Sequence, residues 1–247
     1  FPFEKPLLEE AGIPTEFVGH PLVDQLGVIR DRETILRETG LESLTEKRLI
    51  GLLPGSRHRE VERLLPVLLE AAERIHRDFP DTHFIVPLAS SIPMDRIQSR
   101  IDSQNGSRVP LSIVEEPPKD FRSILHFSIT KSGTSTLENA VMGVPQIVVY
   151  KGRPLDAWIA RRVVRVQWLG LVNLIAGREI CPELLQEECT PEEIFKATAT
   201  YLADAGKRDR MLEEMAKVRD SLGESGASKR TAAAICHRIK EWTEKNH

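Results

Sequence analysis

The chain reads as an α/β protein: a Rossmann-like parallel sheet with helices on both faces, followed by C-terminal helices. Three observations predict this. Short runs rich in Ile, Val and Leu recur at 49–53, 82–89, 109–115, 126–130 and 146–150, separated by helical segments, as in strands buried on both faces. The stretch KSGTSTLENAVMGVP (131–145) gives a strand end, a Ser132-Gly133-Thr134 turn and a helix over Thr134–Met142 closed by Gly143. Pro145 then leads into the strand QIVVY, which completes a βαβ unit. RLIGLLPGSRHREV (48–61) repeats the device, with strand Leu49–Leu53, turn Pro54-Gly55-Ser56 and a long helix opening at Arg57.

The elements follow in chain order. FPFEKPLLEEAGIPTEFVGHPLVDQL holds a short helical LLEEAG ended by Gly12 and a strand-like TEFVG, and reads as a connector. His20 before Pro21 is a turn residue or a ligand contact. Residues 28–46 form a charged surface helix with apolar Ile29, Ile35, Leu36 and Leu41. The helix from Arg57 places Val61, Leu64, Leu65, Leu68, Ala72, Ile75 and Phe79 on one face, and Pro66 should kink it or start a second segment. A helix over 93–104 and a short one over 119–125 separate the next strands. Arg153–Leu171 mixes basic and apolar residues with Trp158 and Trp168. It is either a helix packed on the sheet or an interfacial helix with Arg161, Arg162 and Arg165 on anionic headgroups. NLIAGREICPELL looks loop-like. Thr190-Pro191-Glu192-Glu193 caps a helix running to about Ala205, a second helix carries Met211, Met215, Val218 and Leu222, and the last spans Ala227–Trp242. The Met and Ala stripes of these helices read as core. The expected division is a connector at 1–27, the sheet domain at 28–190 and a helical segment at 191–247.

With 247 residues, 40% hydrophobic, the chain can bury a sizeable core. A net charge of −3 gives no long-range pull toward nucleic acid, and no apolar run reaches the roughly 18 residues of a membrane span. Cys181, Cys189 and Cys236 lack the spacing of a zinc site or a disulfide framework. The chemistry is therefore sought at the two turns. In a parallel sheet, ligands sit outside the carboxyl ends of the strands, where both turns fall. A Ser-Gly-Thr turn at a helix start offers amide N–H groups and hydroxyls to an anion such as phosphate. Arg57 presents a guanidinium fork to phosphate oxygens or pairs with Glu60 or Glu62. Glu138, a helical turn further on, accepts hydrogen bonds from ribose hydroxyls or stays solvated. Asn173 and Arg178 complete a polyanion site or fix a loop. The G-x-x-x-x-G-K-[ST] phosphate loop is absent.

FVGHPLVD (17–24), LLPGSRHREV (52–61), KSGTSTLENAVMGVPQIVVY (131–150), WIARRVV (158–164) and NLIAGREICPELLQEECTPEEI (173–194), in this order, closely resemble the lipid-A-disaccharide synthases. These are glycosyltransferases of the GT-B type, with two facing Rossmann-like domains. The resemblance implies inverting, metal-independent transfer of a 2,3-diacylglucosamine unit from UDP to 2,3-diacylglucosamine 1-phosphate, without a cofactor. It implies that Gly55, Ser56 and Arg57 hold the diphosphate, that Ser132, Gly133 and Thr134 line the same pocket, that Glu138 binds ribose, and that Asn173 and Arg178 lie at the sugar or phosphate edge. Arg57 and Asn173 are the catalytic candidates, with the general base expected in an N-terminal domain that this sequence does not contain. On that expectation the chain is the donor-binding half, unable to turn over alone. The implied location is cytoplasmic, peripheral on the inner face of the bacterial inner membrane, in contact with anionic lipid. Two other readings remain: a nucleotide-sugar-binding module, or another GT-B transferase or UDP-sugar epimerase.

Overall fold

A computed structural model describes residues 1–26, 28–105, 109–152 and 167–245. Six strands, β1 (Arg48–Leu53), β2 (Thr82–Leu88), β3 (Leu111–Glu115), β4 (Phe127–Lys131), β5 (Gln146–Tyr150) and β6 (Glu183–Leu185), form one sheet in the order β3-β2-β1-β4-β5-β6. Every pairing is parallel. The order reverses between β1 and β4, so the segments leaving these two adjacent strands pass to opposite faces and open a crevice at their carboxyl ends.

The period-two alternation of the strands builds two cores. Ile50, Leu52, Phe127, Ile129, Ile147 and Val149 face α4 (His58–Asp78), α5 (Met94–Asn105) and α8 (Pro191–Ala203). Leu49, Leu53 and Val148 face α3 (Arg32–Glu38), α6 (Thr134–Met142), α7 (Leu171–Ala176) and α9 (Ala205–Ser221). Met211, Met215, Val218 and Leu222 are buried in this second face, as the sequence pattern predicts. The long helix α4 runs unbroken through Pro66, so no second segment starts there. Apolar residues on both sides of the proline, Leu64 and Leu65 before it and Leu68 and Leu69 after it, are anchored in the core.

Several expectations change. TEFVG forms no strand, and Pro21–Leu26 forms a short helix, α2, capped at its start by His20, whose Nδ1 accepts from the Leu22 amide at 3.1 Å. The His20 ring stacks on Phe1 at 5.0 Å, so it is a turn residue. The segment 173–185, loop-like in sequence, holds most of α7 and all of β6. The strand escaped notice because three residues, ELL, are too few to show a period. The Ala-rich last helix, α10 (Ala227–Lys245), is not core beyond Ala227: Ile235, Ile239 and Trp242 are exposed. Its start is fixed to the connector by Asp24, which accepts from the Gly226 and Ser228 amides, and by Arg230, which donates to the Val18 carbonyl. Trp158, Arg161, Arg162 and Arg165 lie outside the described residues. No helix among the described residues is long and apolar enough to cross a membrane.

Between β4, β5 and α6 the core is polar. Asn139 Nδ2 lies 2.8 Å from Ser128 Oγ, Thr130 Oγ1 and Gln146 Oε1, and Gln146 Nε2 donates to the Thr136 carbonyl at 2.7 Å. All five residues are fully buried. Removing the central amide strands several buried acceptors, each costing about 1–3 kcal/mol. Asn139→Ala is therefore expected to lower the unfolding free energy by about 3 kcal/mol or more in urea titration.

A second expectation concerns pH. Burial, with the Arg208 and Arg48 guanidiniums beside it, drives His126 down from 6.5 to about 4; Asp81 pulls the other way and Arg32 adds to the fall. His126 is thus neutral in the fold, and Nε2 accepts from Arg208 at 3.0 Å. The unfolded chain binds the proton more readily, so this contribution is complete above pH 6.5 and is lost as pH falls toward 4. His126→Gln should flatten the stability profile between those values in urea titrations across pH.

Candidate functional site

The turns after β1 and β4 lie side by side because their strands are neighbours, with Ile50 opposite Phe127 and Leu53 opposite Thr130. Gly55 takes φ +113° and Gly133 φ +152°, conformations an L side chain resists. At Gly55 the backbone also approaches the Glu60 side chain closely: an added Cβ would meet the Glu60 carboxylate and lie 3.2 Å from its Cβ. Arg57 is the extended N-cap of α4, and its side chain is 82% exposed. It projects from the end of the strand rather than packing.

Glu60, in the first turn of α4, joins the two turns. Its Oε1 accepts from Arg57 Nη1 at 3.3 Å and pairs with Lys131 Nζ at 3.0 Å. Lys131 ends β4 and stands beside Gly133, where an added Cβ would lie 3.7 Å from its Nζ. The pairing of Arg57 with Glu60 and the clustering at the strand ends therefore occur together. Sequence reasoning singled out Arg57 but gave Lys131 no role. Its signal is positional: it is the last residue of a strand whose neighbour ends in a phosphate-suited turn.

Two depressions flank the PGSR turn. One, about 370 Å³, is lined by Arg57, Arg59, Glu60, Arg63, Lys131 and Lys151, with Tyr150 and Gly152 at its edge. The other, about 400 Å³, is lined by Gly55, Ser56, Ser90, Glu116, Arg122 and Ser135 among others. Glu116 takes φ +43°, unusual for a non-glycine residue, and turns the chain after β3 at the rim of the second depression. Its floor is organised by Arg122, which donates to the Ser135 carbonyl at 3.1 Å and to Asn139 Oδ1 at 3.3 Å. Arg122 also pairs with Glu138 at 2.7 Å. Glu138 is therefore not a solvated surface carboxylate: the half-buried Arg122 guanidinium fixes its direction. Burial draws the Arg122 pKa down, and the Glu138 charge works against that fall.

Other candidates are placed differently. Asn173 is fully buried, and its amide is saturated: Nδ2 donates to the Cys181 carbonyl at 2.7 Å and Glu183 Oε1 at 2.9 Å, while Oδ1 accepts from the Ile180 and Cys181 amides. It has no lone pair or proton left for a ligand and serves to fix the chain between α7 and β6. Arg178 is exposed and pairs with Glu214 on α9. Ser132 is buried and donates Oγ to the Leu169 carbonyl at 2.7 Å, and the Leu169 and Gly170 amides donate to Glu183. The 173–194 motif thus reaches the Ser-Gly-Thr corner as a brace, through Glu183 and Leu169. Thr134 is exposed at the start of α6, where the first-turn amides have no partner within the helix.

A cleft at the switch point with two turns shaped for an anion describes many nucleotide-binding folds, and comparison with known proteins narrows the choice. The sequence pattern of the lipid-A-disaccharide synthetase family matches residues 1–236. The chain belongs to this family. A lipid-A-disaccharide synthase of Geobacter sulfurreducens is 37% identical over 235 residues, which is 95% of this chain and 60% of that protein. The synthase of Persephonella marina is 40% identical over 246 residues, 95% of this chain and 62% of its own length. The chain thus spans about three fifths of the length of these relatives. In fold it is similar to a UDP-GlcNAc 2-epimerase from Neisseria meningitidis bound to UDP-GlcNAc, with TM-score 0.59 and 16% identity over 94% of this chain and 59% of the other. It is similar also to WaaG, a glycosyltransferase involved in lipopolysaccharide biosynthesis, with TM-score 0.57 and 13% identity over 87% and 53%. Among family members of this kind the PGSR turn is worth testing directly. Gly55→Ala places a Cβ both at positive φ and against Glu60, whereas Gly143→Ala, also at positive φ, meets open space. Both should destabilise by about 1–2 kcal/mol from backbone strain, with Gly55→Ala exceeding Gly143→Ala in thermal or urea unfolding.

Proposed function

We propose that this chain carries the UDP-sugar-binding part of a lipid-A-disaccharide synthase, acting with a 2,3-diacylglucosamine donor and a 2,3-diacylglucosamine 1-phosphate acceptor. The observation that carries the reading is the junction of the two strand-end turns through Glu60, Arg57 and Lys131 at the switch point. In the bound state the diphosphate lies over the Gly55-Ser56 turn and the first-turn amides of α6, with Arg57 and Lys131 as its cations. The ribose meets Glu138, held in place by Arg122, and the base occupies the depression beside Glu116. Bond breakage at the sugar leaves negative charge on the departing UDP, and fixed cations and amides aimed at that position lower the barrier.

Transfer to a hydroxyl also needs a base to take the proton of the attacking oxygen. Among the described residues of the basic depression the carboxylate is Glu60, and two cations hold it. Glu60 would have to leave both cations before it could take a proton from an attacking hydroxyl, so the reading assigns that role to another group. The chain's own contribution is donor binding and leaving-group stabilisation. Access to acylated substrates at a cytoplasmic membrane surface is part of the same proposal, with Arg161, Arg162 and Arg165 as the candidate contacts.

Isothermal titration with UDP tests the reading. UDP should bind this polypeptide, and Arg57→Ala or Glu138→Ala should weaken binding by about 1.5–3 kcal/mol, the worth of a charged hydrogen bond. Unchanged affinity in both variants would refute donor binding at this cleft. A coupled assay for UDP release from the same polypeptide should show no turnover, and clear turnover would place the base within it.

A further inference from the structure

A depression of about 730 Å³, larger than either one beside the PGSR turn, lies at the opposite, amino end of the sheet. Its lining includes Lys47 just before β1, His76 near the end of α4, His83 at the start of β2, Asp102 on α5, and Leu111 and Ile113 on β3. The donor reading leaves this space unused, since the strands run between it and the cleft.

β3 is an edge strand, and its ladder with β2 shows which backbone groups are left over. Phe84 donates its amide to the Pro110 carbonyl, and Glu116 donates its own to the Leu88 carbonyl, so the even-numbered residues of this segment face β2. The N–H groups of Leu111 and Ile113 therefore point outward along the edge, and both residues line the depression. Such an edge is a standing demand for hydrogen-bond partners. Lys47 is the one lysine or arginine among the described lining residues. Asp102 lines the same space, yet its carboxylate accepts from Gln98 Nε2 at 2.8 Å, and Lys47 pairs with no carboxylate among the described residues. The two imidazoles are fixed walls. The Thr82 hydroxyl gives its hydrogen to the Phe79 carbonyl at 2.7 Å, so His76 Nδ1 donates to it at 3.2 Å. His83 Nε2 lies 2.9 Å from Ser112 Oγ, and burial, with Lys47 and His76 nearby, holds His83 below the usual histidine range.

The remaining wall is apolar. Ile101, Val109, Leu111 and Ile113 form the margin of the core under α4 and α5, and Leu111 and Ile113 stay half-buried where the interior residues of β1, β4 and β5 are buried. We propose that this depression binds a small organic monocarboxylate with a short apolar body. Lys47 and the edge amides hold the carboxylate, and the body covers the apolar wall. Charge favours a carboxylate over a phosphate: α4 and α5 both end at this edge, and the negative ends of two helix dipoles oppose a second negative charge. The volume falls in the range of small-molecule sites.

The test titrates this polypeptide with hexanoate, hexanol, acetate and inorganic phosphate in constant salt, by calorimetry and amide NMR. Hexanoate should bind about tenfold or more tighter than each of the others, because each lacks either the charge or the body. Its binding should shift the Leu111 and Ile113 amide resonances. Lys47→Gln should weaken hexanoate by about fivefold or more. Lys47 is exposed, and circular dichroism checks that the variant is folded. Saturating UDP should leave hexanoate affinity within about twofold, since the two sites share no residue. Equal binding of hexanol would remove the carboxylate from the proposal, and equal binding of phosphate or acetate would remove the apolar wall; either result overturns it. Absence of hexanoate binding overturns it as well. So does binding that leaves the Leu111 and Ile113 amides unshifted, survives Lys47→Gln or competes with UDP, because the ligand would then sit elsewhere.

Discussion

Glu60 stands between two cations that arrive from different strands, and the arrangement of the whole carboxyl edge depends on it. Arg57 extends from the end of β1 and Lys131 from the end of β4, and without an intervening anion they would repel. The carboxylate that keeps them together occupies the close approach that only a glycine at position 55 allows. Charge, backbone conformation and strand order therefore constrain one another. β1 and β4 must be neighbours for the two turns to meet, and they are neighbours because the sheet order reverses between them.

Support for this edge comes from below and from the side. Below, the Asn139 network fixes α6 against β4 and β5, and Arg122 extends it to the half-buried Glu138. A purely apolar interface could slide by small amounts at little cost, whereas a saturated amide network has one register. From the side, Asn173 and Glu183 hold the chain that accepts the Ser132 hydroxyl. Several polar residues of the signature motifs, Ser132, Asn139 and Asn173 among them, thus lie behind the cleft and hold its walls, while those of the PGSRHRE turn line it.

That division explains what was legible in the sequence. The strands β1 to β5 and the helix α6 announce themselves through apolar runs and through Gly143 and Pro145, because each is long enough to show its period. β6 does not, and its place in the sheet is decided by pairing with β5 and by the Glu183 network. Arg57 was visible as a cation at a strand-to-helix turn. Asn173 looked the same in kind, a polar residue in an apolar setting, yet burial and four hydrogen bonds make it a brace. Nothing in its local sequence separates the two cases, because the partners that saturate it lie seven to ten residues on. The Ala stripe of α10 misled for a related reason. Small apolar residues suit a core or an exposed helix equally, and only tertiary contact distinguishes the two.

The distribution of charge also bears on how such a site could work without drawing the chain to every polyanion. Cations spread over a surface attract nucleic acid and membranes alike, with strength that falls steeply in salt. Here they converge on a walled depression, and one of their number, Lys131, is only 19% exposed. A phosphate entering that space exchanges water for guanidinium and ammonium donors at short range, where screening by salt is weak.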